Sequence, residues 1–291
     1  MIDPSMQKPI TEVIRQRFSC RTYLDKPIDD QRRRRLAEFL AAHQVGPLGS
    51  RARFALVAAT EGDHEALRGL GTYGFIKGAT GFIVGAAERS PKDLEDYGYL
   101  MEHAILFATD LGLGTCWLGG TFSKSRFAKK IDLRRDEIVP AVTAVGTIAE
   151  GAHARDWIRE QAKGTDRLPA GQLFFDQQFG RPLSMDGVGA YAAVLEALRW
   201  GPSASNKQPW RIVRIDNAFH FYLARTKDYG KASLLFTLLR LADLQHVDLG
   251  IAMCHFELTA RELELAGRWT VQEPNVAKPD DRTEYIVSWS G

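Results

Sequence analysis

One stretch of this chain occurs twice. Asp96–Trp117 reads DYGYLMEHAILFATDLGLGTCW, and Asp248–Trp269 reads DLGIAMCHFELTARELELAGRW. The two align without a gap at an offset of 152, and nine of 22 positions are identical, including Gly98/Gly250, Met101/Met253, His103/His255, Leu111/Leu263 and Trp117/Trp269. Apolar positions recur at helical spacing in both copies, so the repeat predicts a largely buried helix present twice. A second match lies upstream at an offset of 155. There Lys26-Pro27-Ile28 falls on Arg181-Pro182-Leu183 and Gly46-Pro47 on Gly201-Pro202, with Ala37/Ala192, Leu40/Leu195 and Ala42/Ala197 between. After each Gly-Pro comes a strand-like run, Phe54–Val57 in one copy and Trp210–Val213 in the other. Two matches in the same order at nearly the same offset make duplication a better account than chance.

Two copies in one chain pack most simply as a pseudo-symmetric pair, as a twofold homodimer would if its subunits were fused. We take residues 1–178 as half one and 179–291 as a shorter half two. The core helix of half two is expected to need half one for its burial, so the halves should form one unit. The expected class is α+β.

Several other classes are excluded. Lys+Arg 38 against Asp+Glu 36 leaves a net charge of +2, without the basic excess of a nucleic-acid footprint. The run Arg32–Arg35 lies in a helical pattern with Leu36, Phe39 and Leu40 and is best taken as a solvated helix face. Cys20, Cys116 and Cys254 are far apart, which suits a reducing cytosol rather than a disulfide scaffold. No HExxH or C-x-x-C occurs, so no metal is expected. The opening MIDPSMQKPI lacks a basic segment followed by an apolar core, and Glu102, His103 and Asp110 interrupt the longest apolar stretch. A cytoplasmic protein without a membrane partner is expected. Gly112-Leu-Gly-Thr-Cys-Trp117 begins like a dinucleotide fingerprint. It follows a helix where a strand should be and has Trp117 at the third glycine, which argues against a Rossmann unit.

Polar residues suited to chemistry are divided between the copies. In half one, Arg17, Ser19 and Arg21 alternate, so an extended segment would turn all three to one side. Two guanidinium forks and a hydroxyl suit a phosphate dianion, although an ordinary basic surface segment would look the same. In half two, Gly201-Pro-Ser-Ala-Ser-Asn-Lys-Gln-Pro-Trp210 carries two prolines that stiffen the backbone. Asn206 and Gln208 place amide donors and acceptors in that loop, fit for the polar edge of a planar heterocycle. At the repeat offset Arg17, Ser19 and Arg21 fall on Gln172, Phe174 and Asp176, and the polar loop falls on Pro47-Leu-Gly-Ser-Arg-Ala-Arg-Phe54. Each copy has lost what the other keeps. If the two parts meet across the pseudo-twofold, one composite site per chain is complete.

These motifs resemble the FMN-dependent nitroreductase family. Arg17–Tyr23 followed by Pro27 is similar to its opening, Pro202–Trp210 to its most recognisable loop, Gly112–Gly120 to its glycine-rich segment, and Asp166-Arg-Leu-Pro169 to its closing segment. In ordinary members the opening and the loop belong to the first part of one chain. Here the loop is in the second copy, as in a fused, pseudo-dimeric branch. The resemblance implies one FMN per chain, in a monomer. Arg17, Arg21 and Arg167, with Lys163 as a weaker candidate, would hold the phosphate. Ser19 would bond phosphate or ribityl oxygens, and Pro202, Ser203, Ala204, Asn206 and Gln208 would line the ring. Leu118, Gly119 and Gly120 would bring backbone to flavin N5, with Gly119 standing where the family often has an acid. Thr72 and Lys77 are candidates for the pyrimidine edge.

The implied activity is reduction of nitroaromatics, quinones or similar small electrophiles by NAD(P)H, with ping-pong use of one cavity and no catalytic side chain. Alternatives are another flavin reaction (dehalogenation, flavin breakdown or an oxidase step) or a non-catalytic FMN-binding protein. Two aromatic-rich segments, with Tyr73, Phe75, Phe219, Phe221, Tyr222, Tyr229 and Phe236, could cover the ring or belong to the core.

Overall fold

The computed structural model describes residues 6–61, 63–67, 70–72, 74–120, 122–152, 165–227 and 242–291. Half one contains α1 (Ile10–Gln16), α2 (Asp30–Ala42), β1 (Ala52–Ala58), β2 (Gly81–Glu88), α3 (Asp93–Asp110), β3 (Gly114–Leu118), α4 (Lys124–Lys130), β4 (Glu137–Ile138) and β5 (Val142–Gly146). Then come α5 (Ala170–Leu173), β6 (Phe174–Asp176), α6 (Tyr191–Arg199), β7 (Trp210–Ile215), β8 (Ala218–Ala224), α7 (Leu244–Glu262), β9 (Arg268–Thr270) and β10 (Thr283–Ser290). The class is α+β. The strand-like runs at Phe54 and Trp210 lie in β1 and β7, and the repeated segments form α3 and α7 with the strands that follow them.

Each half has its own sheet. The first runs β1-β2-β5-β3, with β4 also on β2, and the second β6-β7-β8-β10-β9. Taking β1, β2, β3 and β5 as counterparts of β7, β8, β9 and β10, the order is the same. All these pairs are antiparallel, and a long helix connects the second strand to the third in both halves. Among the described residues the one parallel ladder is β6 on β7. It is reached by the chain after half one's last strand, so that segment crosses over and extends the other sheet.

α3 and α7 are buried on nearly every side and pack against each other. The contact is reciprocal. A Cβ on Gly98 would strike the backbone of Val247, and one on Gly250 would strike the backbone of Glu95. At the repeat offset Glu95 is the counterpart of Val247, so the two glycines make the same contact in opposite directions, as across an isologous interface. Only a missing side chain lets the helix backbones approach so closely. One buried cluster runs from Met6 and Ile10 through Leu106 and Leu198 to Trp289, so both halves share a core.

Polar groups on these helices are used within the fold. Asp110, at the end of α3, accepts from the backbone N–H groups of Gln7 and Lys8 at 2.8 and 3.1 Å. Its counterpart Glu262 accepts from the N–H and hydroxyl of Thr11 at 3.1 and 2.8 Å. Carboxylates from both halves thus hold α1, whose apolar face of Ile10, Val13 and Ile14 is buried. On α2, Arg32 and Arg33 pair with Asp29 and Asp30, as expected of a solvated face. The three cysteines are buried and form no disulfide with one another. Among the described residues no helix is long and apolar enough to cross a membrane.

Arg53 of β1 reaches over β2 to Glu137 of β4 with two hydrogen bonds of 2.7 and 2.8 Å. Those bonds, with the Arg134 amide, hold the Glu137 carboxyl below its ordinary value of 4.5 against the opposing effect of burial. A carboxylate depressed in the folded state stabilises above its unfolded pKa, and the contribution disappears as pH falls through the folded value. Glu137→Gln should therefore cost about 1–2 kcal/mol at neutral pH and give a shallower acid limb. Urea unfolding at pH 7 and pH 3 checks this, and parallel losses in both proteins would refute it.

Candidate functional site

The segment after α1 is stitched between two neighbours. Ser19 bridges Thr115 of β3, Cys20 N–H donates to the Thr115 carbonyl at 2.8 Å, and Lys77 N–H donates to the Arg21 carbonyl at 2.9 Å. This extended course gives the expected alternation. Cys20 points into the core, whereas Arg17, Ser19 and Arg21 line a cavity of ≈ 780 Å³. Arg17 Nε lies 3.7 Å from Glu102 Oε1 of α3, with the arginine side chain 7% exposed and the glutamate fully buried. Glu102 also accepts from Trp117 Nε1 at 2.7 Å and meets His255 Nε2 at 2.9 Å. Arg17 is thus braced by a carboxylate that ties β3 and α7 to the same point.

The opposite wall is the 202–206 loop. Pro202, Ser203, Ala204, Ser205 and Asn206 all line the cavity. Ser205, Asn206 and Gln208 have φ of 51°, 53° and 48°, a left-handed conformation that Asn tolerates and that costs other residues about 1–2 kcal/mol. Hydrogen bonds hold the chain there. Ser203 Oγ accepts from Gln208 N–H at 2.8 Å, and Asp248 Oδ1 accepts from Ala204 N–H at 2.9 Å. The loop is also fastened to the 165–168 segment, since Asn206 Nδ2 donates to the Asp166 carbonyl at 3.0 Å. Arg167 approaches Asn206 Oδ1 at 3.5 Å, donates to the Trp200 carbonyl at 3.2 Å, and lies 5.4 Å from the Trp200 ring centre.

The floor is the glycine-rich segment, with Leu118, Gly119 and Gly120 on the cavity. A Cβ on Gly119 would run into Leu244 of α7, which also lines the cavity. Five basic residues face the space, namely Lys8, Arg15, Arg17, Arg21 and Arg167, and the acid among the lining residues is Asp248. In a chain with a net charge of only +2 this is a local concentration of positive charge, suited to an anionic ligand.

Eleven of the fifteen residues singled out from the sequence meet here: Arg17, Ser19, Arg21, Leu118, Gly119, Gly120, Arg167, Pro202, Ser203, Ala204 and Asn206. Lys163 lies outside the described residues. Thr72 and Lys77 do not line the cavity. Neither does Gln208, which is buried and acts as a latch. Its Oε1 accepts from Leu168 N–H at 2.9 Å, and its Nε2 lies 3.3 Å from the carbonyls of Asp166 and Asn206. Phe75 lines the cavity, whereas Phe219 and Phe221 are buried on one face of β8 against Phe256 and Tyr222 on the other against Phe179 and Tyr285. Tyr73, Tyr229 and Phe236 lie outside the described residues. Trp200, Leu244, Asp248 and Ile251 also line the cavity and were not anticipated. Their signal was Asp248's place in the repeat opposite Asp96, which read as helix packing alone.

The latch is open to a direct test. Gln208→Ala leaves Leu168 N–H without its acceptor, and Gln208→Glu sets a carboxylate against two carbonyls. Both should lower unfolding free energy by about 1–3 kcal/mol in urea melts. Wild-type stability in the glutamate variant would remove the donor side of the latch.

The family model "Putative TM nitroreductase" matches residues 9–260. A solved structure described as a nitroreductase of Thermotoga maritima is similar over 97% of this chain and 94% of its own, at 18% identity and a TM-score of 0.60. A protein of Desulfovibrio desulfuricans, described as a nitroreductase in complex with FMN, covers 52% of this chain and 92% of its own, at 23% identity and a TM-score of 0.40. A nitroreductase family protein of Clostridium difficile covers 55% and 92%, at 18% identity and a TM-score of 0.40. No curated protein matches the sequence. The Thermotoga likeness shows the same fold along the whole length, and the family model takes in most of the chain from α1 to the end of the second buried helix. The chain belongs to the TM nitroreductase family.

Proposed function

We propose that this protein is an FMN-dependent oxidoreductase that reduces small electrophiles with NAD(P)H, and that it is an internally duplicated pseudo-dimer with one flavin site per chain. The observation that carries this reading is the shared cavity. The arginine cradle of half one and the stiff amide loop of half two face the same ≈ 780 Å³, within the range of small-molecule and cofactor sites. The residues fit the group. Positive charge collects at the Arg17–Arg21 segment and Arg167, the loop offers amides and hydroxyls, and α7 adds the buried carboxyl of Asp248.

The chemistry FMN supplies when bound is two-electron transfer from NAD(P)H to an acceptor such as a nitroaromatic or a quinone. The chain's own part is to bind, orient and shield. Arg17, Arg21 and Arg167 would hold the phosphate, and Ser19 would donate a hydroxyl hydrogen bond beside it. Pro202, Ser203, Ala204 and Asn206 would present a wall kept rigid by Gln208 and Asp248. Leu118, Gly119 and Gly120 would let backbone approach the ring. Lys163 completes the proposed set, and Thr72, which does not line the cavity, falls outside it.

The pseudo-dimer is supported by the matched sheet orders and by the reciprocal glycine contacts of α3 and α7. A second cavity of ≈ 800 Å³ supports a single site. It is lined by Gly46 and Pro47, the counterparts of Gly201 and Pro202, but Gln172, Phe174 and Asp176, which replace the cradle, do not line it.

Purified protein should be a yellow monomer holding one FMN, measured by light scattering and by absorbance of the released flavin. Anaerobic NADH or NADPH should bleach it. A colourless preparation that cannot be reconstituted would end the flavin assignment, and two chains per flavin would end the pseudo-dimer. Flavin that neither nucleotide bleaches would make the protein a carrier rather than an enzyme.

A further inference from the structure

The duplication supplies an internal control for one residue of the site. Asp96 and Asp248 occupy the same repeat position on α3 and α7. In half one both oxygens of Asp96 are used, since Oδ1 accepts from Leu48 N–H at 2.9 Å and Oδ2 from Ser50 N–H at 2.7 Å. In half two Asp248 Oδ1 accepts from Ala204 N–H, but among the described residues no protein group bonds Oδ2, which is buried. Residue type and helix packing are the same in both copies, so they do not explain the difference. The loops do. The 47–50 loop turns two amides back onto its helix, whereas the 202–206 loop turns one and forms the wall of the cavity that Asp248 also lines.

The electrical surroundings of Asp248 define the form it takes. It is 2% exposed, and among the described residues no cation pairs with it. Burial and the like charge of Asp243, at the head of its own helix, push its carboxyl well above the ordinary carboxylate range, with the Ala204 amide opposing them. The 202–206 loop packed against it brings that amide and no charge. A desolvated carboxyl without a counter-ion keeps its proton. A buried polar atom with no partner is costly, and a ligand atom placed against it removes the cost.

We propose that Asp248 is a ligand-binding residue of this cavity: as a neutral carboxylic acid it donates a hydrogen bond from Oδ2 to an acceptor atom of the planar heterocycle seated against the 202–206 loop. This rests on the flavin reading above, and its role is separable from the anchoring of Ala204, which uses the other oxygen.

The test compares wild type with Asp248→Asn and Asp248→Leu, each stripped of flavin and reloaded with FMN, loading being read from flavin absorbance. Asparagine keeps an acceptor for Ala204 N–H and a donor at the second position, and leucine keeps the bulk alone. In infrared difference spectra, wild type should show a protonated-carboxyl carbonyl band that shifts on FMN loading, and Asp248→Asn should lack it. FMN should bind Asp248→Asn within about threefold of wild type and Asp248→Leu about 10-fold more weakly. If the leucine variant does not fold, the infrared comparison decides alone. A loaded wild type with no such band, or with a band that loading leaves unshifted, overturns the proposal while leaving the flavin assignment intact. A folded Asp248→Leu that binds like wild type overturns it too. A wild type that takes up no FMN overturns both.

Discussion

Arg17→Ala and Arg21→Ala should each weaken FMN binding by roughly 10- to 100-fold, the loss expected when a charged hydrogen-bond partner is removed at about 1.5–3 kcal/mol. The two should differ in what else they do. The Arg17 side chain is nearly buried and lies beside the fully buried Glu102. Removing it takes a cation away from a carboxylate that water cannot reach, so Arg17→Ala should also destabilise the flavin-free protein. Arg21 is half-buried on a segment held by backbone hydrogen bonds at Cys20 and Lys77, so Arg21→Ala should leave that stability nearly unchanged. Flavin-fluorescence titrations give the affinities, and thermal melts without flavin give the second effect. Unchanged affinity in both variants would remove the cradle from the phosphate site. Equal melting temperatures for Arg17→Ala and wild type would show that Glu102 does not depend on the arginine.

Gly250→Ala should destabilise the protein by about 3 kcal/mol, although alanine is the better helix former by about 1 kcal/mol. The added methyl has no room, because it meets the carbonyl of Glu95 and the amide of Tyr99 in the facing helix. Backbone cannot rotate away as a side chain would, so α3 and α7 must separate, and the shared core separates with them. Gly98→Ala should do the same by the reciprocal contact with Val247. Both should also weaken FMN binding, since Asp248 and Ile251 flank Gly250 and line the cavity. Urea unfolding measures the first effect and flavin titration the second. A Gly250→Ala protein as stable as wild type would mean that the two helices do not meet at these glycines.

The division between what was legible and what was not follows particular residues. The Gly98/Gly250 repeat was visible because close helix packing demands the same small residue in both copies. The alternation of Arg17, Ser19 and Arg21 was visible because an extended backbone has a period of two. Gln208 was read as a wall of the site and proved to be a latch inside it, because an amide in a polar loop looks the same whether it faces a ligand or Leu168. Phe219, Phe221 and Tyr222 were open to either role, and tertiary packing buries them, the first two against Phe256 of α7 and the third against Phe179 and Tyr285. Glu102 gave no signal as the brace of Arg17, and one of its further partners, His255, is 153 residues away.

Spacing along the chain was enough for the duplicated helix, the extended cradle and the rigid loop, because backbone periodicity and turn chemistry act over a few residues. Which polar groups face one another was settled only when two helices 152 positions apart in sequence closed on their glycines and brought Arg17, Asn206 and Asp248 around one space. Hydrogen bonds and desolvation depend on distances through space, and those distances exist only once the core has packed.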